Sequence, residues 1–114
     1  MKLLAFLLLF VTTSAFAAQS YKVDPDLYAD PIPTSITYPL MDAKGIKPEQ
    51  RSLFTVVRLV PLELGGTNAK DNLIIVSHRD AFYKRNLDLI VLGKVQHNLM
   101  TADAAVKMLT EWRP

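Results

Sequence analysis

The sequence predicts an α+β fold, and three features carry that prediction. Two short β-branched runs, Thr55–Val60 and Leu73–Val76, have the composition of buried strands. Gly65-Gly66 and the polar stretch Thr67–Asn72 separate them as a loop. From Asp80 to Asn98 apolar residues recur at helical spacing. Strand, glycine loop, strand and helix make a small ββα unit, expected between an extended N-terminal arm and a further C-terminal helix.

Taken in order, Met1-Lys2 is a short basic start and Leu3–Val11 an unbroken apolar run. Ala15-Phe16-Ala17 follows as a small-x-small cleavage site. These are the parts of a secretory signal peptide, residues 1–17, with cleavage expected after Ala17 and a secreted or periplasmic product. The apolar run is roughly half the ~20 residues needed to span a bilayer, so no stable membrane anchor is expected after cleavage. The chain has no cysteine, which excludes lipoprotein anchoring, disulfides and thiolate metal sites. Residues 18–114 suffice for one small domain. The whole chain carries 13 Lys+Arg against 11 Asp+Glu, and Lys2 leaves with the signal peptide. Net charge therefore gives no argument for nucleic-acid binding.

Residues 18–44 read as a Pro/Asp-containing arm. Asp24, Asp26 and Asp30 alternate with Pro25, Pro31 and Pro33, and Tyr21, Tyr28 and Tyr38 lie among them. Proline at that density predicts extended chain, either packed on the domain or disordered. Tyr38–Lys44 has room for a helical turn or two, ended by Gly45. Residues 45–114 form the domain proper. Lys47–Gln50 is connecting loop with room for an extra turn, and the first strand must end or reach an edge at Pro61, which has no N–H for a ladder.

On the main helix, Leu87, Val91 and Val95 recur at i+4, with Tyr83 one turn earlier and Ile90 beside them. Asp80 precedes Lys84 by one turn, the favourable order for a helical ion pair. Gly93 costs about 1 kcal/mol relative to alanine there and marks close packing or a kink. His97-Asn98 is the expected stop. Thr101 is placed to cap a last helix, with Asp103 in its first turn and Ala105, Met108, Leu109 and Trp112 on its buried face.

The run Pro61-Leu62-Glu63-Leu64-Gly65-Gly66 with Asn72-Leu73 resembles the core motif of secreted bacterial HNH-type endonucleases. The resemblance extends to Gly45-Ile46, Gln50-Arg51-Ser52, Lys84…Leu87-Asp88 and Met100-Thr101…Trp112, most of the expected mature chain. It implies a ββα-metal-like unit in which Pro61, Glu63, Gly65, Gly66 and Asn72 build the structural motif. It also implies an Asp that holds a divalent ion, a His that acts as base, and a third site residue on the helix. This chain departs at those positions. It has Val57-Arg58 where the family places Asp-His, and Ala81 at the helix position. Val57 and Ala81 cannot ligate a metal, and the Arg58 guanidinium stays protonated and cannot be a base.

Substitute catalytic groups, if any, are His78, Asp80 and Glu63, with Asp71 nearby. Each has a plainer reading: a helix-entry histidine, a capping or paired aspartate, and a glutamate that orients its loop. No two share a spacing typical of metal ligands, so no metal or other cofactor is expected, a divalent ion entering only if a rearranged nuclease survives. Arg58, with Arg79, Lys84 and Arg85, is instead the candidate anion-binding or nucleic-acid-binding set. A fixed guanidinium binds phosphate or carboxylate bidentately without hydrolysing it. The segment His78–Arg85 also mixes Phe82 and Tyr83 among cations, either a base-stacking surface or the solvated face of a helix.

The expectation is thus an exported, HNH-like pseudoenzyme that binds nucleic acid or a protein partner through a vestigial cleft. The alternatives are an active metal-dependent endonuclease with rearranged residues, and an inhibitor- or immunity-type interaction module.

Overall fold

The computed structural model describes residues 31–114, so the expected signal peptide and most of the arm lie outside the described residues. The described chain mixes helix and strand. Helix α1 (Thr34–Ala43) leads to a 3-10 segment, Pro48–Leu53, and then to strand β1 (Phe54–Arg58). Two short 3-10 turns, Leu62–Leu64 and Lys70–Asn72, connect to β2 (Leu73–Ser77), which runs directly into α2 (His78–Gln96); α3 (Ala102–Thr110) follows. The strands form a two-stranded antiparallel sheet, with Phe54 opposite Ser77 and Arg58 opposite Leu73. Helix α2 packs on both strands and on α3.

Helix α1 corrects the extended reading of residues 34–37. It begins at Thr34, just after Pro33, whose backbone is already outside the helix at φ −58° and ψ 146°. Pro39 sits inside it. That proline removes one helical N–H, but the carbonyl left over belongs to exposed Ser35, where water can serve it. The other end is as expected. Gly45 takes φ 77°, the Gly45 N–H reaches the Asp42 carbonyl at 3.0 Å and the Ile46 N–H that of Met41 at 3.0 Å, a Schellman closure.

Strand β1 is shorter than its β-branched composition suggested. After Arg58 the chain pairs with Asn72 instead of the ladder: Leu59 N–H donates to the Asn72 carbonyl at 2.8 Å and Val60 N–H to Asn72 Oδ1 at 2.9 Å. The two glycines of the following loop serve different ends. Gly65 has φ 86°, a left-handed conformation few other residues adopt. Gly66 lies so close to the chain behind it that a Cβ would stand 1.8 Å from the Val60 carbonyl oxygen.

Helix α2 starts earlier than expected because Ser77 caps it, accepting from the Asp80 N–H at 3.1 Å. Thr101 caps α3 in the same way, accepting from the Ala104 N–H at 3.1 Å. The core joins Val60, Val91, Ala105 and Leu109, with Leu87, Val95 and Met100 packed around it. Three residues expected on apolar faces are exposed instead: Tyr83 at 53%, Ile90 at 38% and Met108 at 43%. For α2 the reason is helical phase. The face that meets the core in line with Val91 carries Lys84 and Asp88, both buried, so the true stripe is interrupted by charge.

Candidate functional site

A cavity of about 650 Å³ opens between α1 and the Pro48–Leu53 segment on one side and β1 with α2 on the other. Ile32, Met41, Val57, Pro61, Leu62 and Ala81 give it apolar walls. Arg51, Arg58 and Arg85 also line it, and Lys84 and Asp88 lie at its base. Val57, Arg58 and Ala81, the positions where the expected resemblance would place catalytic residues, border the same groove.

The cations of this region are held in different ways. Arg58 is half-buried and its Nε donates to Asn68 Oδ1 at 2.9 Å, fixing the plane of the guanidinium. Arg51 donates to Asp42 Oδ1 at 2.9 Å, and its guanidinium carbon stands 4.0 Å from the centre of the Tyr38 ring. Arg85 is exposed on the groove side of α2. Arg79 does not line the groove; its guanidinium lies 5.7 Å from the Tyr83 ring centre.

Lys84 is only 1% exposed. Its ammonium donates to the Leu59 carbonyl at 2.8 Å and to Asp88 Oδ1, and sits 5.8 Å from the Trp112 ring centre. The helical partner of Lys84 is thus Asp88, one turn onward, not Asp80 as the spacing suggested. Both charges are costly here. Burial pulls the Lys84 ammonium below its ordinary value, and Asp88 opposes that fall. Burial pushes the Asp88 carboxyl up to about 6, against the pull of Lys84 and with a further push from Glu63. With its hydrogen bonds spent internally, Lys84 holds the end of β1 to α2 and is a poor ligand for an external anion.

The candidate catalytic groups stand elsewhere. His78, Asp80 and Glu63 are all outside the groove lining. His78 Nε2 lies 2.5 Å from the Ser52 carbonyl, which can only accept, so that nitrogen carries the proton. Nδ1 lies 2.7 Å from Thr55 Oγ1. Both ring nitrogens are engaged in tying the start of α2 to β1, which leaves neither for a metal or a substrate proton. Among the described residues no group of three or more His, Asp or Glu side chains is placed to share a metal ion.

Asn72 organises the loop that supports Arg58. Besides accepting from Val60 N–H, its amide donates to the carbonyls of Val60 at 3.0 Å and Thr67 at 2.8 Å. The same loop delivers Asn68 to Arg58. Sequence reasoning missed Asn68 and the groove-lining role of Arg51. Asn68 gave no signal beyond its place in a polar loop. Lys84–Asp88 had one, the same i,i+4 spacing as Asp80–Lys84. Comparison with protein-family models, with curated proteins and with solved structures returns no match.

Proposed function

We propose that this chain is an exported, catalytically inactive relative of the HNH-type endonucleases, built on a ββα-metal-like unit, that binds nucleic-acid phosphates through the groove beside β1. The supporting observation is the joint position of Val57, Arg58 and Ala81 on that groove, next to Arg85. Metal-assisted phosphodiester hydrolysis needs an ion to stabilise the developing charge and a base to activate water. Valine and alanine supply no ligand, and arginine is no base. What remains is a held guanidinium with exposed Arg85 nearby, suited to gripping an anion and unable to cut it.

A second reading, a protein partner docked in the same groove, draws on its apolar walls at Ile32, Met41, Val57 and Leu62. The rearranged-nuclease alternative has less behind it, because His78, Asp80 and Glu63 would each have to act from outside the groove.

The test is oligonucleotide binding by fluorescence anisotropy across a salt series. The proposal expects Arg58→Ala and Arg85→Ala each to weaken binding about 10-fold, and Arg79→Ala, off the groove, to change it little. Each lost phosphate contact should also flatten the salt dependence by about one unit of slope. Arg58→Ala binding as tightly as the parent would exclude the groove as the nucleic-acid site. A parent that binds no oligonucleotide would favour the protein-partner reading.

A further inference from the structure

We propose that the groove is also a peptide site, in which an extended, acidic segment of a partner protein adds to the free edge of β1 as a third strand. The lining shows that the groove follows an edge. A cavity lying against the face of a sheet meets alternate residues of a strand, because successive side chains point to opposite faces. All five residues of β1, Phe54–Arg58, line this one in unbroken succession. Helix α1 and the Pro48–Leu53 segment bound the slot on one side and α2 on the other. Among the described residues no strand but β2 pairs with β1.

The register fixes which backbone groups face the slot. Leu59 N–H donates to the Asn72 carbonyl, and this pair continues the register in which Arg58 stands opposite Leu73. Bonded and non-bonded pairs alternate along an antiparallel ladder, so Thr55, Val57 and Leu59 turn their N–H and C=O groups toward β2. Phe54, Val56 and Arg58 turn theirs to the slot. The Phe54 N–H is taken by the Arg51 carbonyl, which closes that end. Val56, in the middle, directs a donor and an acceptor at an incoming chain, and a single residue of an antiparallel strand can exchange both bonds with it.

Chemistry selects the occupant. A nucleic-acid strand has no backbone N–H groups to answer the Val56 carbonyl, whereas a peptide carries one donor and one acceptor per residue. Arg51, Arg58, Lys84 and Arg85 line the groove against one carboxylate, Asp88, itself buried against Lys84. That excess of positive charge favours carboxylates on the incoming chain. Met41, Val57 and Leu62 offer apolar contact to the side chains between them. The length of β1 matches five residues of extended peptide, about 17 Å. The proposal uses the groove assigned above to nucleic-acid phosphates but does not depend on that assignment.

The test is backbone amide exchange, followed by NMR, in protein spanning residues 18–114. The probe is a capped heptapeptide in which glutamate alternates with valine and threonine. Its addition should slow exchange at the Val56 amide about 10-fold or more, and leave Thr55 and Val57, already turned to β2, little changed. The same peptide with every backbone N–H methylated, and one with lysine for glutamate, should each bind about 10-fold more weakly. Val56→Pro, which removes the outward N–H and no ladder bond, should weaken binding of the acidic peptide to a similar extent. An acidic peptide that fails to bind, or that binds without slowing exchange at Val56, would overturn the proposal. A single-stranded oligonucleotide run alongside separates this site from the nucleic-acid reading. Protection of Val56 by the peptide with no oligonucleotide binding keeps the peptide site and removes the nucleic-acid one, and the reverse result does the opposite.

Discussion

Lys84 and Arg85 are neighbours in sequence with opposite fates. Lys84 points into the protein, 1% exposed and bound to Asp88 and the end of β1, while Arg85 stands exposed on the groove wall. A step of one residue turns a helix by about 100°, enough to take a cation from the core to solvent. The first charge is desolvated and structural, whereas the second stays in contact with solvent. The base of the groove is thus held by a desolvated ion pair, while its walls carry Arg51, Arg58 and Arg85.

The strongest way to break that contrast is Lys84→Met. It leaves Asp88 buried without its counter-charge and the Leu59 carbonyl without its donor, and should cost ~3–5 kcal/mol in denaturant unfolding. The double variant Lys84→Met with Asp88→Leu should recover most of that loss, because no lone charge is left behind. A single variant close to parental stability would refute the structural role.

The loop that carries the arginine support comes next. Gly66→Ala places a methyl group inside the contact distance of the Val60 carbonyl and should cost ~1–3 kcal/mol or prevent folding. Asn72→Ala strands the buried Val60 N–H and should cost ~1–3 kcal/mol, read by thermal melting.

The pH dependence sharpens the comparison with a smaller effect. The Asp88 carboxyl titrates near 6 in the folded protein, above the ordinary 3.8. Between those values the folded state holds the extra proton, so the contribution of Asp88 to stability falls as pH rises through that window. The lowered pKa of Lys84 acts at higher pH in the opposite sense, adding stability as pH rises toward 10.5. It follows that Lys84→Met should be less destabilising at pH 5, where Asp88 is largely neutral, than at pH 8. Denaturant melts of parent and variant at the two pH values check this. The smallest stability effect belongs to the groove itself: Arg85→Ala should change stability by less than ~1 kcal/mol while weakening oligonucleotide binding.

Local chemistry made much of this legible in the sequence. The two glycines divide the roles expected of the pair, positive φ at Gly65 and close backbone approach at Gly66. Gly45 and Thr101 end and begin helices where their residue types suggested. The remainder depended on tertiary placement. Asp80 and Asp88 lie at the same spacing either side of Lys84, and only burial selects between them. Periodicity counted Tyr83 into the apolar stripe because it cannot register a core face that contains a lysine and an aspartate. The groove itself was hidden, since its second wall is α1 and the 3-10 segment, and the stacking of Arg51 on Tyr38 joins residues with no local pattern between them.

We propose that the groove beside β1 grips anions without cutting them. The most direct test mixes protein spanning residues 18–114 with supercoiled plasmid and with RNA, in Mg²⁺ or Mn²⁺ and in EDTA. A retarded band that EDTA does not abolish is expected, with intact nucleic acid at large protein excess. Metal-dependent nicking that follows the protein through purification would contradict it.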